Sequence, residues 1–149
     1  METITNVLIT EHAVFCEVFN QIERVLAGPK SAPEVKMLGS VVEGLLRDHA
    51  ETETHLAYSA LDHALADRGA LERLFQDHHE IDDRFERIHR TTDPAEAQLL
   101  LKKALAATRE HFRREEKNVF PILEQTLQLD TLWTLGRKWT ESHSVSTTV

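Results

Sequence analysis

Two stretches of the chain, RDHAETETHLAYSAL (residues 47–61) and REHFRREEKNVFPIL (residues 109–123), align without a gap. Each places a glutamate four residues after a histidine, His49 with Glu53 and His111 with Glu115, and then continues into an apolar run. Side chains four apart share one face of an α-helix. The question is which face. Apolar residues recur at spacings of three and four around both pairs, at Val35, Leu38, Val42, Leu45, Leu56 and Ala60 in the first stretch and at Ala97, Leu101, Ala104 and Ile122 in the second. Such periodicity marks an amphipathic helix, and the His–Glu pairs fall on the apolar stripe, where a core needs hydrocarbon.

Two further segments repeat the theme. EHAVFCEVFNQI (residues 11–22) and DHHEIDDRFERI (residues 77–88) both read acid, histidine, then apolar residues four, eight and eleven positions beyond the acid. This register makes His78, not His79, the counterpart of His12. The spacing predicts helices over residues 5–26, 33–66, 71–90 and from Asp93 to about Leu127. Gly28-Pro29 and Asp67-Arg68-Gly69 act as breaks. Ser31 with Glu34 forms a capping box signature, and Asp93-Pro94 an N-terminal cap with proline in the first turn. Four helices with short connections predict an all-α, antiparallel up-down-up-down four-helix bundle over residues 1–128. Residues 129–149 are expected to hold a short helix over 131–139, anchored by Trp133 and Trp139, and a disordered end, ESHSVSTTV (residues 141–149).

The composition agrees. A length of 149 residues suits one domain. The formal net charge of −8 argues against nucleic acid and anionic lipid as partners. A single cysteine excludes an internal disulfide and fits a reducing cytoplasm. No apolar run approaches a membrane span, and the start, METITNVLITEH, lacks the pattern of a signal peptide. Nine histidines are the unusual count.

Every predicted helix therefore carries a histidine on its apolar stripe (His12, His49, His78 and His111), and two add a carboxylate, Glu53 and Glu115. Burying two carboxylates among four imidazoles needs compensation, by mutual pairing or by a cation. The donors are too many for one tetrahedral zinc. Imidazole with carboxylate suits iron or manganese. Two metals fit best, each with two histidines and both bridged by the glutamates, leaving about two octahedral positions per metal for an oxo or hydroxo bridge and an outside ligand. The acids beside the histidines, Glu11, Asp48, Asp77 and Glu110, either brace a histidine on a neighbouring helix or line solvated faces beside Arg47 and Arg109. Tyr58 is expected to pack with its hydroxyl on a polar partner, Cys16 to be a small core residue, and Pro121 to bend the last helix.

With His12, HAETE from His49, DHHE from Asp77 and HFRREEKNVFP from His111, residues 5–127 resemble the hemerythrin-like HHE cation-binding domain. The resemblance implies a four-helix bundle with two non-haem irons (Fe2+/Fe3+) that binds O2 or reacts with peroxide or nitric oxide. It carries the metal-ligand role onto the same six residues. The oxygen-carrying branch has His-x-x-x-His on the third helix, where this chain has Asp82, and His-x-x-x-x-Asp on the fourth, where it has Glu115. Those departures resemble instead the HHE branch associated with iron sensing, iron handling and redox chemistry, with peroxide as an alternative substrate.

Overall fold

The computed structural model describes residues 1–63 and 69–144. Most of its described residues are helical, and none forms a strand. Helix α1 spans Ile4–Val25. Helix α2 begins as Ala32–Glu53, passes through a π-helical turn at Thr54–Tyr58 and ends as Ser59–Asp62. Helix α3 spans Gly69–Arg90. Helix α4 runs Pro94–Arg114, takes a second π-helical turn at Glu115–Val119 and finishes as Phe120–Thr126. Helix α5 spans Leu129–His143.

The expected caps are formed. Ser31 and Glu34 make the reciprocal capping box, with Ser31 N–H donating to Glu34 Oε2 at 2.7 Å, and Asp93 Oδ1 accepts from Ala95 N–H at 3.0 Å. Cross-helix contacts join successive helices, and His89–Glu43 together with His78–Glu53 sets α3 antiparallel to α2. Glu11 on α1 meets His49 on α2; His89 on α3 meets Glu43 on α2; and Asp77 on α3 meets Arg114 on α4. Along the α1–α4 seam, Gln98 reaches Gly28, Glu116 reaches His12 and Glu124 reaches Thr5.

The apolar interior is split in two. One core contains Phe15, Phe19, Ile22, Val42, Phe85, Ile88, Leu101 and Leu105. The other contains Ile4, Leu8, Ala57, Leu61, Leu74, Phe120, Leu123 and Leu132. Between them lies a layer of buried polar side chains at the mid-height of all four helices.

Several expectations need correction. Beyond Glu53 the predicted stripe of Leu56 and Ala60 is displaced by one: Ala57, Tyr58 and Leu61 are buried, while Leu56 and Ala60 are only half-buried. In α4 Leu123 is buried where Ile122 was expected. The cause is the π-helical turn in each helix. Its wider i→i+5 loop is closed by Ser59 N–H to Thr54 O in α2 and by Phe120 N–H to Glu115 O in α4. Each loop adds a residue and rotates the rest of its helix about the axis. Leu45, placed on the inner stripe, is 37% exposed. Helix α5 is longer than expected: Glu141–His143, assigned to the disordered end, are helical. Its buried anchor is Leu132, with Trp133 and Trp139 half-buried. Helix α5 lies against α1, and Gly136 permits the close approach, since a Cβ there would collide with the Glu2 carbonyl oxygen. Residues 64–66, the end of the second expected helix, the Asp67-Arg68 part of the expected break and residues 145–149 lie outside the described residues; Gly69, the last residue of that break, opens α3.

Candidate metal centre

The polar layer gathers all six residues singled out as donors. His12, His49, Glu53 and Glu115 bring one donor atom each within 4.8 Å of one another, and so do Glu53, His78, His111 and Glu115. The two glutamates belong to both groups. Histidines 12, 49 and 111 are 2% exposed, and both glutamates are fully buried.

The imidazoles turn their Nε2 atoms inward. His12 Nε2 and His49 Nε2 lie 3.3 Å apart, and His78 Nε2 and His111 Nε2 lie 2.8 Å apart. Glu115 spans the halves, with Oε1 at 2.6 Å from His111 Nε2 and Oε2 at 3.2 Å from His12 Nε2. Glu53 Oε2 sits 3.6 Å from His49 Nε2 and 3.8 Å from His78 Nε2.

The outward nitrogens explain this orientation. His49 Nδ1–H donates to Glu11 Oε2 at 2.7 Å, and His111 Nδ1–H to Asp77 Oδ2 at 3.2 Å. Asp77 is itself held by Arg114 at 2.6 Å and Arg73 at 3.1 Å. Thus two of the four adjacent acids brace a histidine across the helix seam. Of the other two, Asp48 pairs with His143 on α5 and Glu110 with Arg113. The partner of His12 Nδ1 is Glu116, at 2.9 Å, a role that the sequence did not reveal. With its proton on Nδ1, an imidazole presents an unprotonated Nε2 to the interior, the form that binds a metal.

The electrostatics show a site short of positive charge. Burial, together with the Glu115 carboxylate, pushes Glu53 well above the usual carboxylate range. Burial also opposes ionisation of Glu115, but His111 and His12 outweigh it and hold that carboxyl well below its ordinary value. Burial and the charge of His111 bring His78 down to about 4. Both oxygens of Glu53 and Oε2 of Glu115 are buried without a hydrogen-bond donor. Orphaned carboxylate oxygens among inward-turned imidazole nitrogens are a donor set that fits cations.

Tyr58 belongs to the site. Its hydroxyl donates to Glu115 Oε1 in a short hydrogen bond, and burial keeps the phenol protonated well above its usual range. The π-helical turn after Glu53 is what aims this side chain inward. Asp82, one turn after His78, is exposed and not among the gathered donors. Cys16 is half-buried against the first core, and burial raises its thiol. A cavity of about 400 Å³ opens between α2 and α3. Its inner end is His49, His78 and His111; its walls include Ala50, Ile81 and Phe112; its rim carries Glu43, Arg47, Glu51 and Asp82.

The family model of the Hemerythrin HHE cation binding domain matches residues 3–124. Searches of curated proteins and of solved structures found no significant match.

Proposed function

The chain belongs to the hemerythrin HHE cation-binding domain family, and from that premise we propose that it is a non-haem di-iron protein whose six ligands are His12, His49, Glu53, His78, His111 and Glu115. The observation that carries this reading is the sharing of Glu53 and Glu115 between two histidine pairs. A carboxylate between two donor groups suits a bridge between two cations, and a mixed imidazole–carboxylate set suits iron. Bound iron would supply electron transfer to and from a small ligand such as O2, peroxide or nitric oxide. The protein's own contribution is positional. Glu11, Asp77 and Glu116 lock three imidazoles in the Nε2-inward orientation, and Phe112 stacks on His12 with centroids 3.9 Å apart.

Reversible O2 or iron binding is the first reading. A specific observation favours a second, a redox enzyme consuming hydrogen peroxide or nitric oxide. The Tyr58 hydroxyl is a buried proton donor inside the donor layer, where reduction of a small oxygen species requires protons. Cytoplasmic location remains part of this proposal; no helix among the described residues is long and apolar enough to cross a membrane.

The test is metal analysis followed by anaerobic ferrous titration. About two irons per chain are expected, with an oxo or hydroxo bridge absorbing in the oxidised state. An oxygenated spectrum that reverses when the gas is removed supports binding. Steady peroxide consumption, reduced in Tyr58→Phe, supports the enzyme. A chain that binds no iron defeats both.

A further inference from the structure

The two halves of the donor layer are matched in sequence but not in surroundings. On one side, His12 lies flat against Phe112 at an interplanar angle of 9°, Phe15 meets His49 edge-on at 5.3 Å, and Glu116 covers His12 Nδ1. On the other side, His78 is 17% exposed. No carboxylate among the described residues bonds its Nδ1. The position after Glu53, matching Glu116 after Glu115, is Thr54. Thr54, His49, His78 and His111 all line the cavity between α2 and α3, and His12 alone of the four imidazoles does not.

Resting on the di-iron reading, we infer that small ligands enter through this cavity and arrive beside His78, His111 and His49, while His12 stays sealed. The rim selects by charge. Glu43, Glu51 and Asp82 stand there with Arg47 and His55; Glu43 is paired with Arg47 at 3.1 Å and with His89 at 2.6 Å, which leaves the Glu51 and Asp82 carboxylates to set the sign. A rim of net negative sign disfavours small anions and leaves uncharged molecules free to pass. The small ligands of the di-iron reading that such a rim admits are the uncharged ones, nitric oxide, dioxygen or undissociated hydrogen peroxide. Beyond the rim, Ala50 and Ile81 set the bore.

Two measurements test this, one of them without metal. In metal-free protein, diethyl pyrocarbonate, an uncharged imidazole reagent, should label His78 at least tenfold faster than His12, read by peptide mass spectrometry. Labelling of His12 as fast as His78 would overturn the inference. In iron-loaded diferrous protein, Ile81→Trp and Ala50→Leu should slow nitric oxide association at least tenfold without changing iron content. Phe15→Leu, which thins the sealed side, should leave that rate unchanged. Ala50→Leu replaces a half-buried residue at the cavity wall and carries the rate test if Ile81→Trp folds poorly. Unchanged association in a cavity variant that keeps its iron, or acceleration in Phe15→Leu, would overturn the assignment. Failure to bind iron at all would count against the di-iron reading, while the labelling experiment would still decide the route.

Discussion

Glu53 and Glu115 occupy matched places in the repeat yet differ in charge tendency, one pushed toward the neutral acid and the other held ionised. The difference arises because Glu115 lies within 3.2 Å of two imidazole nitrogens while Glu53 stands farther from its own. If both bridge two cations, removal of either should weaken both positions. Glu53→Ala and Glu115→Ala are each expected to drop the iron content well below one per chain; retention of one tightly bound iron would count against sharing. His78 allows a pH prediction for the metal-free protein. Folded, it takes up a proton only near pH 4; unfolded, near 6.5. The unfolded state therefore binds more protons between those values, and stability falls as pH drops through the window, by up to about 3 kcal/mol. Urea unfolding of metal-free His78→Phe should show a flatter decline from pH 6.5 to 4.5 than the wild type. Equal slopes would mean that His78 does not contribute.

At the scale of the helix, the informative feature is a π-helical turn beginning at or just after each glutamate. Pro121 offers a ready explanation for the turn in α4, since proline removes a backbone donor. The turn in α2 contains no proline, yet it stands within one residue of the matching place. The common cause is the demand of the polar layer and the second core together: Glu53 must face inward, and so must Ala57, Tyr58 and Leu61. Pro121→Ala is accordingly expected to keep the turn, the iron content and the position of Phe120, with a stability change within about 1 kcal/mol. A variant whose iron content falls by half would restore proline as the cause. The same feature marks the limit of what was legible in the sequence. Spacings of three and four located the helices and gathered the six donor residues, because polar groups on an apolar stripe stand out against it. They could not reveal the extra residue of a π-turn, which depends on packing across the bundle. Glu116 was missed for a related reason. In the run Arg-Arg-Glu-Glu-Lys it looks like part of a solvated face, and only the α1–α4 seam shows it reaching His12.

At the scale of the molecule, metal binding and folding should be coupled. Without a cation the interior holds four imidazoles and two carboxylates, with three carboxylate oxygens lacking a donor. The imidazoles must be unprotonated at Nε2 to serve as ligands, so protons compete with metal as pH falls. Iron-loaded protein is expected to melt above metal-free protein at pH 7, with a gap that narrows toward pH 5. A gap independent of pH would show that the histidines are not the ligands. The helix packing makes this coupling global, because the donors come from all four helices of the bundle.

The polar layer also divides the apolar interior into two cores, each built by different residues of the same four helices and the second joined by Leu132 of α5. A cation bound at the waist would act as a tie across that division. Hydrogen exchange should register it. In metal-free protein the amides of Val42, Phe85 and Leu101 should open with one free energy, and those of Leu8, Leu74 and Leu123 with another, as two cooperative units. Loading the site should merge them into one. A single opening energy in both states would mean that the helices alone carry cooperativity across the waist.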